Sequence, residues 1–93
     1  MKQTVDIIAL YTKEGKVTPL RLRLIDEEGE RREFTIRSYR QIEINDTKIM
    51  SDGMYVTAKT LVFECYIDVA GTKRLIRLYW RDGNPWEMTD GTV

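Results

Sequence analysis

Apolar and polar residues alternate along much of this chain, which is the pattern of β-strands that bury one face. The alternation is clearest at residues 20–24 (LRLRL), where three leucines share one predicted face and two arginines share the other. Similar alternation runs through residues 5–12, 61–69 and 76–80. None of these stretches has a convincing helical period of 3.6 residues. The pattern therefore predicts an all-β domain.

Short polar turns separate the predicted strands and indicate hairpins. Gly15, Gly71 and Gly83 each lie in such a turn, where glycine can take the positive φ of a tight hairpin. A further turn at residues 26–30 (DEEGE) is almost entirely charged, and residues 86–89 are predicted to form a short closing strand. Three hairpins joined in this way predict an antiparallel sheet.

The first hairpin has a predicted register in which both faces match. If its turn has two residues, Ile7 lies opposite Leu22 on the buried face. The same register places Asp6 beside Arg23 on the outer face. Pro19 has no amide proton to donate to a ladder, so we expect the start of this strand to lie at a sheet edge or at a bulge.

The registers of the other two hairpins depend on the lengths of their turns. A three-residue loop in the second hairpin places Phe34 opposite Leu24. With residues 71–72 as the turn of the third hairpin, Tyr66 lies beside Arg77 on the outer face. These registers predict which outer side chains meet.

Two segments depart from the alternation. Between residues 38 and 41 it falters before it resumes, which we interpret as a bend at the corner of a barrel. Residues 45–60 are the least regular part of the chain, with a possible short strand at 54–57. We predict that this part forms a mobile loop.

Together the strands predict one small antiparallel barrel. Ninety-three residues are too few for two ordinary domains, so residues 1–93 are expected to form one domain with one core. Five to six strands would curl into a barrel of the SH3-like or OB-like kind, because curling hides strand edges that invite aggregation. A flatter sheet completed by dimerisation is the alternative.

Composition argues against several function classes. Fifteen basic and fifteen acidic residues give a net charge of zero, so charge supplies no overall attraction to nucleic acid or membrane. Histidine is absent, and the one cysteine, Cys65, falls on a buried strand face where its thiolate is costly to form. Neither a serine triad nor a Cys-His pair can be built, so we expect no catalytic residues and no enzymatic activity.

We also expect no cofactor and no metal ion. A zinc site would need a cluster of cysteine or histidine ligands, and the acidic turn at residues 26–30 lacks the ligand spacing of a calcium loop. The glycines are isolated in separate turns, so no glycine-rich phosphate loop occurs. No apolar run reaches the ~20 residues of a membrane helix and no secretory signal opens the chain, so a cytoplasmic location is expected.

One predicted surface suits nucleic acid, as a strip of outward arginines beside a ring for base stacking. Its members are Arg21, Arg23, Arg37, Arg40 and Tyr39. Small barrels often bind single strands through basic grooves and aromatic platforms. The alternative is that the acidic residues Asp6, Glu33 and Glu43 neutralise the arginines and leave an ordinary solvated face.

A second predicted surface suits a protein partner. Trp86 and Tyr79 lie near the short closing strand, where one aromatic face can stay exposed as a docking anchor. Met50, Met54 and Tyr55 in the irregular segment could belong to the same surface. The alternative is that the two aromatic residues pack on the core and the loop residues cover one end of the barrel.

These observations lead to two function hypotheses. The leading hypothesis is a non-enzymatic interaction module that docks on a protein partner, or on a second copy of itself, through these residues and an exposed strand edge. The alternative is an accessory nucleic-acid-binding barrel that uses the arginine strip. No residue type in the chain points to a membrane or a metal as partner.

Three segments carry a family resemblance. They are residues 9–15 (ALYTKEG), 19–23 (PLRLR) and 79–83 (YWRDG), the last followed by Trp86. In these segments the chain resembles small uncharacterised all-β proteins of Gram-positive bacteria. The resemblance spans most of the chain and implies a bacterial all-β protein. More loosely, the PLRLR strand and the late aromatic hairpin are similar to small β segments that accompany translesion DNA polymerases, a pattern from which the acidic turn and residues 45–60 depart.

Overall fold

The computed structural model describes residues 2–90, and every regular element among them is a β-strand. In chain order the strands are β1 (Gln3–Tyr11), β2 (Val17–Ile25), β3 (Arg31–Ile42), β4 (Lys48–Ile49), β5 (Tyr55–Val56), β6 (Leu61–Val69), β7 (Thr72–Trp80) and β8 (Trp86–Thr89). Six of them close into an antiparallel barrel in the order β1-β2-β3-β6-β7-β8, and β4 pairs with β5 in a separate two-stranded sheet. The predicted small all-β barrel is confirmed, and its closure replaces the alternative of a flat sheet.

The barrel interior is filled by side chains that the alternation places inward. Leu22, Phe63, Cys65 and Leu78 have no exposed surface. The other buried members of this core are Val5, Val17, Ile36, Ile67, Ile76 and Trp86, so every barrel strand contributes. Full burial of one large aliphatic or aromatic side chain stabilises a fold by about 1.5–3 kcal/mol. The predicted inward face is confirmed at these positions.

The first hairpin follows the predicted register until a bulge interrupts it. Ile7 pairs with Leu22 as predicted, but the register then shifts by one residue and Ala9 faces Pro19. The extra residue is Leu20, which lies on the outer face with 46 % of its surface exposed. The predicted inward position of Leu20 is therefore wrong, and the bulge expected near Pro19 is confirmed.

The register of the second hairpin is shifted by two residues from the predicted one. Phe34 faces Leu22 and not Leu24, because the turn falls one residue earlier than predicted: the Asp26 amide donates to the Glu30 carbonyl at 2.9 Å and closes a loop of residues 27–29. The Asp26 carboxylate organises this turn by accepting two backbone amides within it, at 3.0 and 2.8 Å. A shift by two residues leaves every side chain on its predicted face.

Halfway along its length, β3 changes partner. Its first part, Arg31–Thr35, pairs with β2, and the rest, from Ile36 onward, pairs with β6. The change coincides with a register shift between Ile36 and Ser38. A bulge therefore lies next to the bend predicted at residues 38–41, and it lets one strand serve two sides of the barrel.

The third hairpin turns one residue earlier than predicted, at Ala70 and Gly71. Both residues have positive φ, 50° and 82°, as the tight turn that matches the strand twist requires. The register consequently differs by two residues, and Arg77 lies opposite Glu64 and not beside Tyr66. This pairing sets an arginine against a carboxylate on the outer face of the barrel.

The chain between β3 and β6 forms a second layer over the outer face of the barrel. The segment contains β5, which confirms the short strand considered possible at residues 54–57, and β4, which the sequence did not predict. Its buried residues Ile44, Met54 and Val56 pack with Val62 of β6 and Tyr79 of β7. As a result, β7 is covered on both faces.

Candidate docking surface

The predicted arginine strip is electrically neutral, because each arginine has a carboxylate partner. The N–O distances are 3.1 Å for Arg21 and Glu33, 3.1 Å for Arg23 and Asp6 and 2.8 Å for Arg37 and Asp68, and Arg40 pairs with Glu64. The predicted neutralisation is confirmed for Asp6 and Glu33, whereas within residues 2–90 Glu43 pairs with none of the four. Exposed pairs contribute under about 1 kcal/mol each, but they cancel the charge that phosphate groups would attract.

Tyr39 offers only part of its ring for stacking. The residue is 40 % exposed, and its ring lies edge-on to Phe63 with the centroids 6.1 Å apart. Its hydroxyl is 3.3 Å from the hydroxyl of Thr18 on β2. The ring therefore packs against the core and is tied to β2 at its tip, which leaves a half-exposed aromatic side chain and not a free platform.

Neither Trp86 nor Tyr79 has the exposed aromatic face of the docking hypothesis, and the alternative, that both pack in a core, is confirmed. Trp86 is 6 % exposed and stacks on Trp80, with ring centroids 5.6 Å apart and 15° between the planes. Phe63 lies against the same indole at 6.0 Å. Tyr79 has no exposed surface because the second layer covers it. Both residues therefore belong to the packing of the domain and cannot anchor a partner on the folded surface.

The three residues predicted from the irregular segment divide between core and surface. Met54 is buried and Met50 packs beside it in the second core, so neither offers a docking face. Tyr55 is 53 % exposed, and its cross-strand partner Ile49 is 73 % exposed. Ile49 is a surface residue that the sequence analysis missed, because two-residue strands are too short to show alternation.

A buried polar cluster joins the second layer to the barrel. We call it the polar clamp, and its members are Asp52, Glu64, Arg77, Tyr79 and Thr89. The hydroxyls of Tyr79 and Thr89 each donate to Asp52 Oδ2 at 2.6 Å. Arg77 donates from Nη2 to Glu64 Oε2 at 2.9 Å, and its Nη1 lies 3.5 Å from Asp52 Oδ2. The side chains of Arg77 and Asp52 are 9 % and 2 % exposed.

The clamp holds its carboxylates ionised and its phenol protonated. Burial raises the pKa of Asp52, but hydrogen bonds from Thr89 and Tyr79 together with the charge of Arg77 lower it below its usual range. Hydrogen bonds from Arg40 and Arg77 lower the pKa of Glu64. Burial and the neighbouring carboxylate raise the pKa of Tyr79. Groups that keep one protonation state near neutral pH suit a structural link between two layers.

Other candidate chemistry is limited in the described residues. Burial, followed by the charge of Glu64, raises the pKa of the Cys65 thiol to about 12, so the thiol stays protonated. Between residues 2 and 90, no three His, Cys, Asp or Glu side chains form a group that could hold a metal ion. The same part of the chain contains no helix long and apolar enough to cross a membrane.

Part of β1 has one unpaired side. Along that side β8 pairs with β1 only from Gln3 to Val5, although β1 continues to Tyr11. Pro85 directly precedes β8, and a proline nitrogen cannot donate to a ladder, so the pairing ends there. In the described part of the chain, no backbone group bonds to this side of residues 6–11. We call the unpaired side of residues 6–11 the β1 edge.

Three exposed apolar residues lie beside the β1 edge, and we call them the apolar triad. Ile8, Leu10 and Leu20 are 61 %, 54 % and 46 % exposed. Ile8 and Leu10 point outward from β1, and the bulge places Leu20 between their partners on β2. A shallow recess of about 380 Å³ is lined in part by Ile7, Ile8 and Pro85. Clustered exposed apolar residues, unlike single ones, mark interaction sites.

The surroundings of the triad carry charges that are already paired. Asp6 bonds to Arg23 at 3.1 Å, and Arg21 bonds to Glu33 at the same distance. All four charged groups line the same recess as Ile8. The surface therefore combines an apolar centre with a neutral polar rim, as protein interfaces do.

The sequence holds signals for this surface that alternation alone does not reveal. Residues 7–11 (IIALY) are apolar without interruption, so β1 has apolar side chains on both faces. Pro85 marks the point where a closing strand must stop pairing. An exposed strand edge was predicted without a position, and one such edge lies on β1.

A wider recess opens at the end of the barrel where β2 and β6 finish. It has a volume of about 760 Å³ and is lined in part by Leu24, Phe34, Val69 and Met88. Its charged lining includes both acidic and basic side chains, among them Arg74. Mixed charge gives this recess no complementarity to one class of ligand, so the β1 edge remains the better-defined site.

Comparisons with known proteins add no relative. No family model matches the chain, no curated protein matches it, and no solved structure matches its fold. The resemblance to small all-β proteins of Gram-positive bacteria stays a prediction.

Proposed function

We propose that this domain is a non-enzymatic interaction module that receives an extended strand from another protein chain at the β1 edge. The observation that carries the proposal is the unpaired side of residues 6–11 next to an exposed apolar triad. Unpaired backbone groups supply hydrogen bonds to an added strand, and side-chain contacts supply the selectivity.

The chemistry of the edge defines the partner strand. An added strand places alternate side chains on the outer face of the sheet, where Ile8 and Leu10 lie. Apolar residues at those alternate positions bury the most surface. The nearby Asp6 and Arg23 already neutralise each other, so a strongly charged partner gains little. The partner segment is therefore extended, largely apolar and low in charge.

Protein docking is better supported than nucleic-acid binding. Binding to phosphate groups depends on unneutralised lysine and arginine side chains. All four arginines of the predicted strip have carboxylate partners, and Tyr39 is tied to β2. The β1 edge instead combines unpaired backbone with exposed apolar side chains.

A displayed library of random decapeptides, selected on the domain immobilised at low density, tests the proposal. Enriched peptides are expected to carry apolar residues at alternate positions. Leu10→Lys places a charge in the centre of the triad and is expected to weaken the best peptide by about tenfold or more, which corresponds to 1.4 kcal/mol. Circular dichroism checks that the variant folds, and fluorescence anisotropy measures the affinity.

Ile49→Lys is the matched control, because Ile49 is 73 % exposed on β4 and lies outside the β1 edge. It is expected to change the affinity by less than about twofold. Failure to enrich extended apolar peptides would overturn the proposal. So would a selected peptide whose affinity falls in the Ile49 variant and not in the Leu10 variant.

A further inference from the structure

We propose that the strand received at the β1 edge is β1 of a second copy of this chain, in a dimer with its two-fold axis at Ala9. This inference rests on the proposed function and names its partner. Two copies related by a two-fold axis present the same surface to each other, so the segment must be complementary to itself. The sequence of the β1 edge meets this condition.

Antiparallel pairing centred on Ala9 matches the side chains of the two copies. Ile8 lies opposite Leu10 of the partner subunit, and both are on the outer face. Ile7 lies opposite Tyr11 of the partner subunit on the other face. Directly opposite residues in such a pair have Cβ atoms about 4.5–5.5 Å apart, which is contact distance for apolar side chains. The paired stretch, residues 7–11, contains no charged residue.

Registers centred on the neighbouring outward residues fit less well. Centring on Ile8 pairs residues 6–10 and sets the charged Asp6 opposite Leu10 of the partner subunit, which is unfavourable for a carboxylate. Centring on Leu10 runs beyond the end of the strand at Tyr11 and sets Asp6 opposite Glu14 of the partner subunit. Like charges directly opposite each other are unfavourable. Of these three registers, only the one centred on Ala9 pairs five residues of the free stretch with no charged residue among them.

The β1 edge also lacks the residue types that usually prevent self-pairing. Monomeric proteins place lysine, proline or inward charges on exposed edge strands to prevent association. Residues 7–11 contain none of these. Their outward side chains Ile8 and Leu10 are instead the most exposed apolar residues of the barrel strands, together with Ile25. An open, apolar edge without these residues suits pairing with a second strand.

The oligomeric state in solution is the first test. Light scattering on a size-exclusion column is expected to give twice the monomer mass of 11.0 kDa as the wild-type concentration rises. Leu10→Lys is expected to lower the dimer fraction by about tenfold or more, because it buries a charge against Ile8 of the partner subunit. Ile49→Lys, with its substitution on β4, is expected to dimerise like the wild type.

Disulfide crosslinking reads the register. Under mild oxidation, a mixture of Ile8→Cys and Leu10→Cys chains is expected to form a crosslinked dimer, because the two positions face each other within disulfide range. Either variant alone is expected to crosslink poorly, because like positions lie two residues apart. Both substitutions are on exposed outward positions, so folding is preserved, and Ile49→Cys serves as the control for random collision.

The outcomes separate this inference from the proposed function. A wild type that stays monomeric at millimolar concentration, but binds selected peptides at the β1 edge, overturns the dimer and leaves strand addition standing. A monomer that selects no extended peptide overturns both. A dimer that Ile49→Lys disrupts and Leu10→Lys does not, or one that crosslinks equally in every cysteine variant, also overturns the inference.

Discussion

Replacing Trp86 with alanine is expected to lower the free energy of unfolding by about 3–5 kcal/mol. Trp86 is 6 % exposed and packs between Trp80 and Phe63. Removing the indole leaves a cavity in the core of the barrel. It also weakens β8, which closes the barrel with only four residues. Domains of this size have about 5–15 kcal/mol of stability in total, so the loss is a large part of it.

Urea unfolding followed by far-UV circular dichroism measures the effect. Tyr55→Ala removes an aromatic side chain that is 53 % exposed, and it is expected to change stability by less than about 0.5 kcal/mol. If the alanine variant does not fold, Trp86→Phe replaces it in the experiment. This variant keeps a ring in the core and is expected to lose less stability than Trp86→Ala. A Trp86→Ala variant as stable as Tyr55→Ala would contradict the buried position of Trp86 and would indicate that its side chain is exposed.

Replacing Arg77 with alanine is the second large expected effect, a loss of about 3 kcal/mol. Arg77 is 9 % exposed and pairs with Asp52 and Glu64. Its removal leaves Asp52, which is 2 % exposed, as a buried charge whose remaining donors are two hydroxyls and the Met54 backbone amide. Breaking one side of a buried ion pair costs more than losing an exposed pair, because the remaining ion stays out of water.

Arg21→Ala is the matched control, because Arg21 also pairs with a glutamate, but with half of its side chain exposed. It is expected to cost under about 1 kcal/mol. The same urea experiment compares both variants. If Arg77→Ala were no more destabilising than Arg21→Ala, the polar clamp would not hold the second layer to the barrel.

The side of the sheet on which a residue lies could be predicted from the sequence far better than the partner it meets. Alternation placed Leu22, Phe63 and Leu78 inside, because side chains on a strand alternate strictly. Register depends on where a turn falls, and the third hairpin turns at Ala70 and Gly71, one residue earlier than predicted. That difference puts Arg77 opposite Glu64, which is why the polar clamp was missed.

Two further features lay beyond alternation. A bulge moves Leu20 outward, and Pro19 indicated its place but not which neighbour would be displaced. Tyr79 looked like an outer residue of a two-faced strand, and it is buried because the second layer covers that face. Coverage by a distant segment is a tertiary effect that a local pattern does not encode.

The sequence predicted the type of candidate site but not its position in the fold. An exposed strand edge was expected, while the named anchors Trp86, Tyr79 and Met54 are buried. The structure moves the docking hypothesis to β1, where pairing stops at Pro85 and apolar residues reach both faces. The position of this edge depends on where β8 stops pairing with β1, and that is decided by how the barrel closes.

Residue-resolved amide hydrogen exchange over β1 tests the central claim most directly. In dilute protein, alternate amides between Ile7 and Tyr11 are expected to exchange rapidly, while the intervening amides are protected by their bonds to β2. Adding a selected peptide, or raising the protein concentration, is expected to slow the rapid set. Protection of both sets in dilute protein, unchanged by either addition, would show that the β1 edge is already covered and would contradict the account.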